Sequence, residues 1–216
     1  MKIARKRKKR GAVVFDFMGV VFREGMVLTN LLIPMFRPPL PMAEIRERYQ
    51  RFVLGEIVSE QFWLGIAPDY RRAQEAYLNC FDLSDGFEVV YDLRDRYILA
   101  VLSEIPVEWG DYLVSKFHLD RIFDVMVLSG QVGVTKPDTR IFQILMERLG
   151  NDRPYHFIDD NQTNLMVASS LGWKTIWMRN RISEFCCPGF EPDVSIETLP
   201  ELRQLLIEST GRLARG

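Results

Sequence analysis

Two aspartate sites, a serine and a lysine lie far apart along this 216-residue chain, yet their types suit one chemistry. Asp16 follows the apolar run Ala12–Phe15 and precedes Phe17-Met18-Gly19, where Gly19 permits a tight turn and close backbone approach. Ser103 ends an apolar run at 97–102, and Lys136 precedes Pro137 and a helical pattern. Asp159 and Asp160 end the run Tyr155–Ile158, with Asn161 and Asn164 beyond them. A carboxylate is already ionised near neutral pH and needs no base to act as a nucleophile. If its target is an anionic phosphate, Mg2+ and a lysine must neutralise charge, and donors must meet the equatorial oxygens. Asp16 and Asp160 offer hard oxygen ligands to Mg2+, and Lys136 can bridge the aspartate and phosphate charges. Ser103 and backbone N–H groups after the first strand can donate to the phosphate. Taken singly, each residue has a plain structural use, since serines cap helices and paired acids make turns. Four polar endings on successive core strands or helix starts are harder to explain as caps.

The elements that must position these residues alternate. Ala12–Asp16, Tyr97–Leu102, Asp124–Leu128, Tyr155–Ile158 and Lys174–Met178 are short apolar runs without polar alternation, the pattern of buried parallel strands. Helical patterns separate them at Pro106–Phe117, at Pro137–Leu149 before Gly150, and at Asn161–Leu171 before Gly172. Strand–helix alternation predicts an α/β fold, a Rossmann-like parallel sheet sandwiched by helices, with ligand bound at the carboxyl ends of the strands. Residues 23–85 break the rhythm. Arg37-Pro-Pro-Leu-Pro41 is a linker or helix start, and Pro41–Val53, Ser59–Leu64 and Asp69–Cys80 read as amphipathic helices. This block is expected to be a small helical cap inserted after the first strand, between core segments 11–22 and 86–216.

Composition narrows the partners. Hydrophobic residues make up 47% of the chain, enough for a true core, and charged residues 26%. The longest apolar stretch, Gly25–Phe36, is too short to span a membrane and contains Asn30 and Pro34. Three cysteines, two of them the adjacent Cys186 and Cys187, form no disulfide framework, so a cytoplasmic, reducing compartment is expected. The 28 Lys and Arg include seven within residues 1–10, leaving 21 cations against 29 acids in the rest. The basic segment reads as a disordered, solvated tail. The acidic remainder continues no basic patch, so nucleic acid is not the expected ligand. Trp109, Trp173 and Trp177 read as core, while Trp63 and Tyr70 in the inserted block are candidates to line a substrate pocket. The oligomeric state is not legible.

Four motifs together resemble the haloacid dehalogenase (HAD) superfamily. They are Val13-Val-Phe-Asp16-Phe-Met-Gly-Val20, Leu99-Ala-Val-Leu-Ser103, Gly133-Val-Thr-Lys136-Pro-Asp138 and His156-Phe-Ile-Asp159-Asp160-Asn-Gln-Thr-Asn164. The resemblance runs from about residue 11 to 205 in order and spacing, and is strongest to the small-cap subgroup, which shares the phrases Leu54-Gly-Glu-Ile57 and Ser59-Glu-Gln-Phe62. It implies a Mg2+-dependent phosphatase acting on a small phosphorylated metabolite. Asp16 would form an aspartyl-phosphate, and Asp16, the Met18 backbone carbonyl and Asp160 would hold Mg2+. Asp159 would support the metal shell, and Ser103 and Lys136 would bind the phosphoryl group.

Two departures qualify this. Phosphatases of the family usually carry a second aspartate where this chain has Met18, and that acid protonates the leaving group. Its loss removes help worth roughly 10²–10⁴ in rate, although a subgroup acting on glucose 1-phosphate lacks it too. Glu104 stands where relatives often have asparagine, and a carboxylate beside a phosphate is unfavourable unless it faces away or binds metal or substrate. A metal-independent dehalogenase-type hydrolase and a non-catalytic binding protein on the same fold are the alternatives. The retained Asp159–Asp160 pair favours the phosphatase.

Overall fold

Short strands with apolar residues on both faces must be covered on both sides, and the sheet is built that way. The computed structural model describes residue 9 and residues 11–150, 154–179 and 186–208. Its parallel strands are β1 (Ala12–Phe15), β2 (Ile98–Ser103), β3 (Val125–Leu128), β4 (Tyr155–Asp159), β5 (Lys174–Met178) and β6 (Val194–Ile196), in the spatial order β3-β2-β1-β4-β5-β6. Val13, Phe15, Leu99 and Val101 face one apolar cluster, while Ala12, Val14, Ala100 and Leu102 face another. The second cluster is completed by α8 (Thr139–Leu149) and α9 (Gln162–Ser170), through Ile141, Phe142, Leu145 and Leu165.

Between β1 and β2 the chain is helical. A wide turn at Leu28–Leu32 leads into α1 (Ile33–Phe36), followed by α2 (Met42–Val53), α3 (Ser59–Trp63), α4 (Tyr70–Asn79) and α5 (Val89–Leu93). No strand interrupts the block among the described residues. Aromatic rings join it to α6 (Val107–Phe117). Trp109 of α6 packs against Phe52 at 5.2 Å, Phe62 at 5.6 Å and Tyr77 at 4.7 Å between centroids. Gln74 Oε1 accepts from both Trp109 Nε1 (2.8 Å) and Trp63 Nε1 (3.2 Å), so two buried indoles share one acceptor. The short α7 (Ser129–Val132) adds a polar tie, with Ser129 Oγ donating to Val53 O at 2.6 Å and accepting from Ile105 N at 3.0 Å.

The expected strands and long helices appear within a residue or two. β2 runs one residue later than expected and includes Ser103, and β4 includes Asp159. α5 and β6 were not anticipated, being too short to display a period. Trp109 and Trp173 are buried as expected, and Trp177 is half-buried. The expected basic tail lies outside the described residues except Lys9, whose Nζ pairs with Asp124 Oδ2 at 2.9 Å. Among the described residues no helix is long and apolar enough to cross a membrane.

Candidate active site

β1 is central, with chain winding outward on either side: β2 and β3 to one flank, β4 and β5 to the other. That makes the carboxyl ends of β1 and its neighbours the switch point where an open parallel sheet presents a crevice. Phe15 is in register with Ile158 and Val101, so the residues that follow each strand emerge side by side. Asp16, Ser103, Asp159 and Asp160 therefore meet, and the loop before α8 delivers Lys136 among them.

Lys136 is the hub. Its fully buried ammonium lies 2.7 Å from Asp159 Oδ2 and 3.0 Å from Asp16 Oδ1. Burial alone would lower its pKa, but the charges of Asp159, Asp16 and Glu104 outweigh burial and raise it, so it stays a cation. Asp159 is wholly buried, and its carboxylate also accepts from Asn161 N at 2.7 Å and Asn164 Nδ2 at 3.1 Å. Burial raises its pKa, Lys136 opposes this, and Asp16 and Asp160 push it further up. Asp160 is steadied by Trp177 Nε1, which donates to its backbone carbonyl at 3.0 Å.

Asp16 Oδ1 takes both the Phe17 N–H (2.7 Å) and Lys136, while Oδ2 accepts no hydrogen bond from the described residues. One ligand oxygen from each of Asp16, Asp159 and Asp160 lies within 4.8 Å of the others. Ser103 Oγ is completely buried with no hydrogen-bond partner among the described residues, a state costing about 1–3 kcal/mol unless a ligand satisfies it. Not every expected donor is free. The Phe17 N–H serves Asp16, and the Gly19 N–H serves Glu24 O at 2.9 Å.

These residues open onto a cavity of about 280 Å³. The sheet side contributes Asp16, Met18, Ser103, Glu104 and Asp160; the inserted block contributes residues 26–29 and Tyr49. Glu104 does not face away. It lines the cavity half-buried and accepts from Thr135 Oγ1. Burial raises its carboxyl pKa, against Lys136 and the Thr135 hydrogen bond. Trp63 and Tyr70 are not at this cavity. Trp63 is buried in the aromatic cluster, and with Tyr70 it borders a separate hollow beside Pro39 and Leu64. Tyr49 takes the place expected of them. It lies on the apolar stripe of Ile45, Phe52 and Val53, and a polar-tipped aromatic on such a stripe was the available signal.

A parallel sheet with acids at its switch point, a lysine between them and a helical insertion after the first strand defines an α/β hydrolase core of the HAD type. A sequence profile described as haloacid dehalogenase-like hydrolase matches residues 70–178, and the chain belongs to that family. It is 28% identical over 158 residues to an (S)-2-haloacid dehalogenase of Pseudomonas sp. (strain YL), covering 71% of this chain and 68% of that enzyme. It is 33% identical over 143 residues to a pyrimidine 5'-nucleotidase of Escherichia coli (strain K12), covering 62% of this chain and 63% of that enzyme. In three dimensions it is similar to the magnesium complex of a HAD family enzyme from Bacteroides thetaiotaomicron, with a TM-score of 0.68, 19% identity, and 82% and 97% of the two chains covered. The two relatives are named for different reactions.

Proposed function

We propose that this chain is a Mg2+-dependent phosphohydrolase that removes phosphate from a small phosphomonoester. The observation carrying this reading is the convergence of three aspartates within 4.8 Å around a lysine already engaged by two of them. Like charges so close repel, a further cation relieves that repulsion, and an all-oxygen donor set suits Mg2+. Asp16, Asp160 and the Met18 backbone carbonyl would hold the ion, with Asp159 supporting them. Bound there, Mg2+ supplies positive charge against the phosphoryl oxygens.

Asp16 Oδ2 attacks phosphorus, the bond from phosphorus to the ester oxygen breaks, and water gives the leaving oxygen its proton. Water then attacks the aspartyl-phosphate, releasing inorganic phosphate and restoring the carboxylate. Lys136 fixes Asp16 through Oδ1 and offsets charge as the anions approach. Ser103 Oγ, otherwise unpartnered, donates to a phosphoryl oxygen. The block at 23–85 serves as the cap that walls the cavity.

The dehalogenase reading is favoured by one feature, Met18 in place of an acid, together with the likeness to a haloacid dehalogenase. Against it, no Lys, Arg or His lines the cavity among the described residues, so a 2-haloacid carboxylate meets no free counter-charge. The deciding assay measures phosphate release from p-nitrophenyl phosphate and chloride release from 2-chloropropionate, each with Mg2+ and with EDTA. Phosphate release that EDTA abolishes and Asp16→Asn reduces by about 10³-fold or more supports the proposal. EDTA-resistant chloride release sinks it.

A further inference from the structure

Resting on the phosphohydrolase reading, we infer that Tyr49 and Glu104 form a leaving-group subsite that accepts small esters of uncharged or ammonium-bearing alcohols and rejects carboxylate-bearing ones.

The two side chains reach the same cavity as Asp16 from different elements: Tyr49 from α2 of the inserted block, Glu104 from the residue after β2. The Tyr49 ring is held by Phe62 and Trp109, each with its centroid 6.1 Å away. Its hydroxyl has no hydrogen-bond partner among the described residues. Burial and the nearby charges of Glu104 and Asp16 raise its pKa, so the phenol keeps its proton and remains a donor. Glu104 is the complementary acceptor. Thr135 Oγ1 fixes one carboxylate oxygen, and no described residue donates to the other.

The rest of the wall is mostly apolar, formed by Met18, Met26, Val27 and Leu28, and the Thr29 hydroxyl beside them already donates to Met26 O at 3.2 Å. Setting aside the strand-end residues Asp16, Ser103, Asp160, Asn161 and Asn164, this lining offers the Tyr49 hydroxyl as a donor, Glu104 as an anionic acceptor, and no Lys, Arg or His among the described residues. A hydroxyl or ammonium on the leaving alcohol satisfies Glu104, whereas a carboxylate is brought against it without compensation. The cavity's 280 Å³ lies at the small end for ligand sites, which limits the alcohol to about the size of a single ring beyond the phosphate. With methionine at position 18 no acid protonates the leaving oxygen, and Tyr49 offers it a hydrogen bond without giving up its proton.

The test compares kcat/KM with Mg2+ for propyl phosphate, 2-aminoethyl phosphate and phosphoglycolate, with p-nitrophenyl phosphate as the reference. Phosphoglycolate is expected to be about 10-fold or more poorer than propyl phosphate, and Glu104→Gln to narrow that gap by about 10-fold. Tyr49→Phe, which keeps the packed ring, is expected to slow the alkyl esters by about 10-fold more than p-nitrophenyl phosphate, whose leaving group needs no donor. Circular dichroism of both variants checks that the fold is kept. Equal use of phosphoglycolate and propyl phosphate by the wild-type protein, or a ratio unmoved by Glu104→Gln, overturns the subsite and leaves the phosphohydrolase reading standing. No Mg2+-dependent hydrolysis of p-nitrophenyl phosphate overturns both.

Discussion

At the scale of single residues, the site is set by what each carboxylate is made to do. Asp159 is buried and committed to Lys136, Asn161 and Asn164, which makes it a fixed support. Asp16 shares Lys136 but keeps one oxygen unengaged. On the proposed reading the same residue type thus divides into an anchor and a reactant by environment alone. On the phosphohydrolase reading, Met18 is the residue whose chemistry is missing, because a thioether donates no proton. Phosphate release is expected to depend steeply on leaving-group pKa, aryl and acyl phosphates being fast and alkyl phosphates slow. Met18→Asp is expected to help the poor leaving groups most, by up to about 10²-fold, the lower end of what a general acid supplies. A leaving-group series measured on both proteins checks this. Equal slopes of log rate against pKa would remove the missing-acid account.

At the scale of elements, the inserted block is tied to the sheet at points where no side chain fits. Gly55 follows α2 at φ +73°, and a Cβ there would lie 2.3 Å from Gly130 O of α7. Gly55→Ala therefore meets both an unfavourable backbone and a backbone oxygen that cannot step aside. It is expected to cost about 2 kcal/mol or more of stability, read as a lower urea midpoint with an unchanged slope. A cost under about 0.5 kcal/mol would show that the junction is loose. The sequence made much of this level legible. Gly-flanked periodic stretches such as Pro137–Leu149 announce their helices, and buried runs such as Tyr155–Ile158 announce strands. Asp16, Ser103, Lys136 and Asp160 were legible as a set because strand ends in a parallel sheet share one edge. Tyr49 was not, because an amphipathic stripe says which face of α2 is buried but not what it faces. Residues 194–196 were too few to show a strand period. Glu104 stood out as a departure, and only the geometry shows it turned into the cavity.

At the scale of the whole molecule, charge links the site to stability. His156 of β4 is held largely out of water, and its Nδ1 is buried without a partner among the described residues. Burial depresses its pKa below the ordinary 6.5, reinforced by Lys174 and opposed by the Ala12 backbone and by Asp193. The unfolded chain therefore binds this proton more readily than the folded one. The stability this group contributes is intact above about pH 6.5 and is lost as pH falls through the depressed folded value. Urea unfolding from about pH 7.5 to 5 is expected to show this loss in the wild-type protein and less of it in His156→Asn, while parallel curves for the two would assign the acid sensitivity elsewhere.

The acidic cluster exerts the larger pull. Asp16, Asp159, Asp160 and Glu104 set four carboxyl groups against Lys136, so the folded chain holds a repulsion that the unfolded chain escapes. A cation bound only by the folded form recovers that cost by mass action, about 2.7 kcal/mol at a concentration 100 times Kd. For a chain of this length the gain corresponds to a rise of roughly 5–10 °C in Tm on adding Mg2+ to EDTA-treated protein. Asp160→Asn removes one charge and one ligand, so two changes are expected together: a metal-free Tm at or above the wild-type value, and a much smaller rise with Mg2+. Differential scanning calorimetry of both proteins, with and without the ion, reads each change separately. A wild-type Tm indifferent to Mg2+ would mean that Lys136 alone balances the aspartates, and the metal would leave the account of this site.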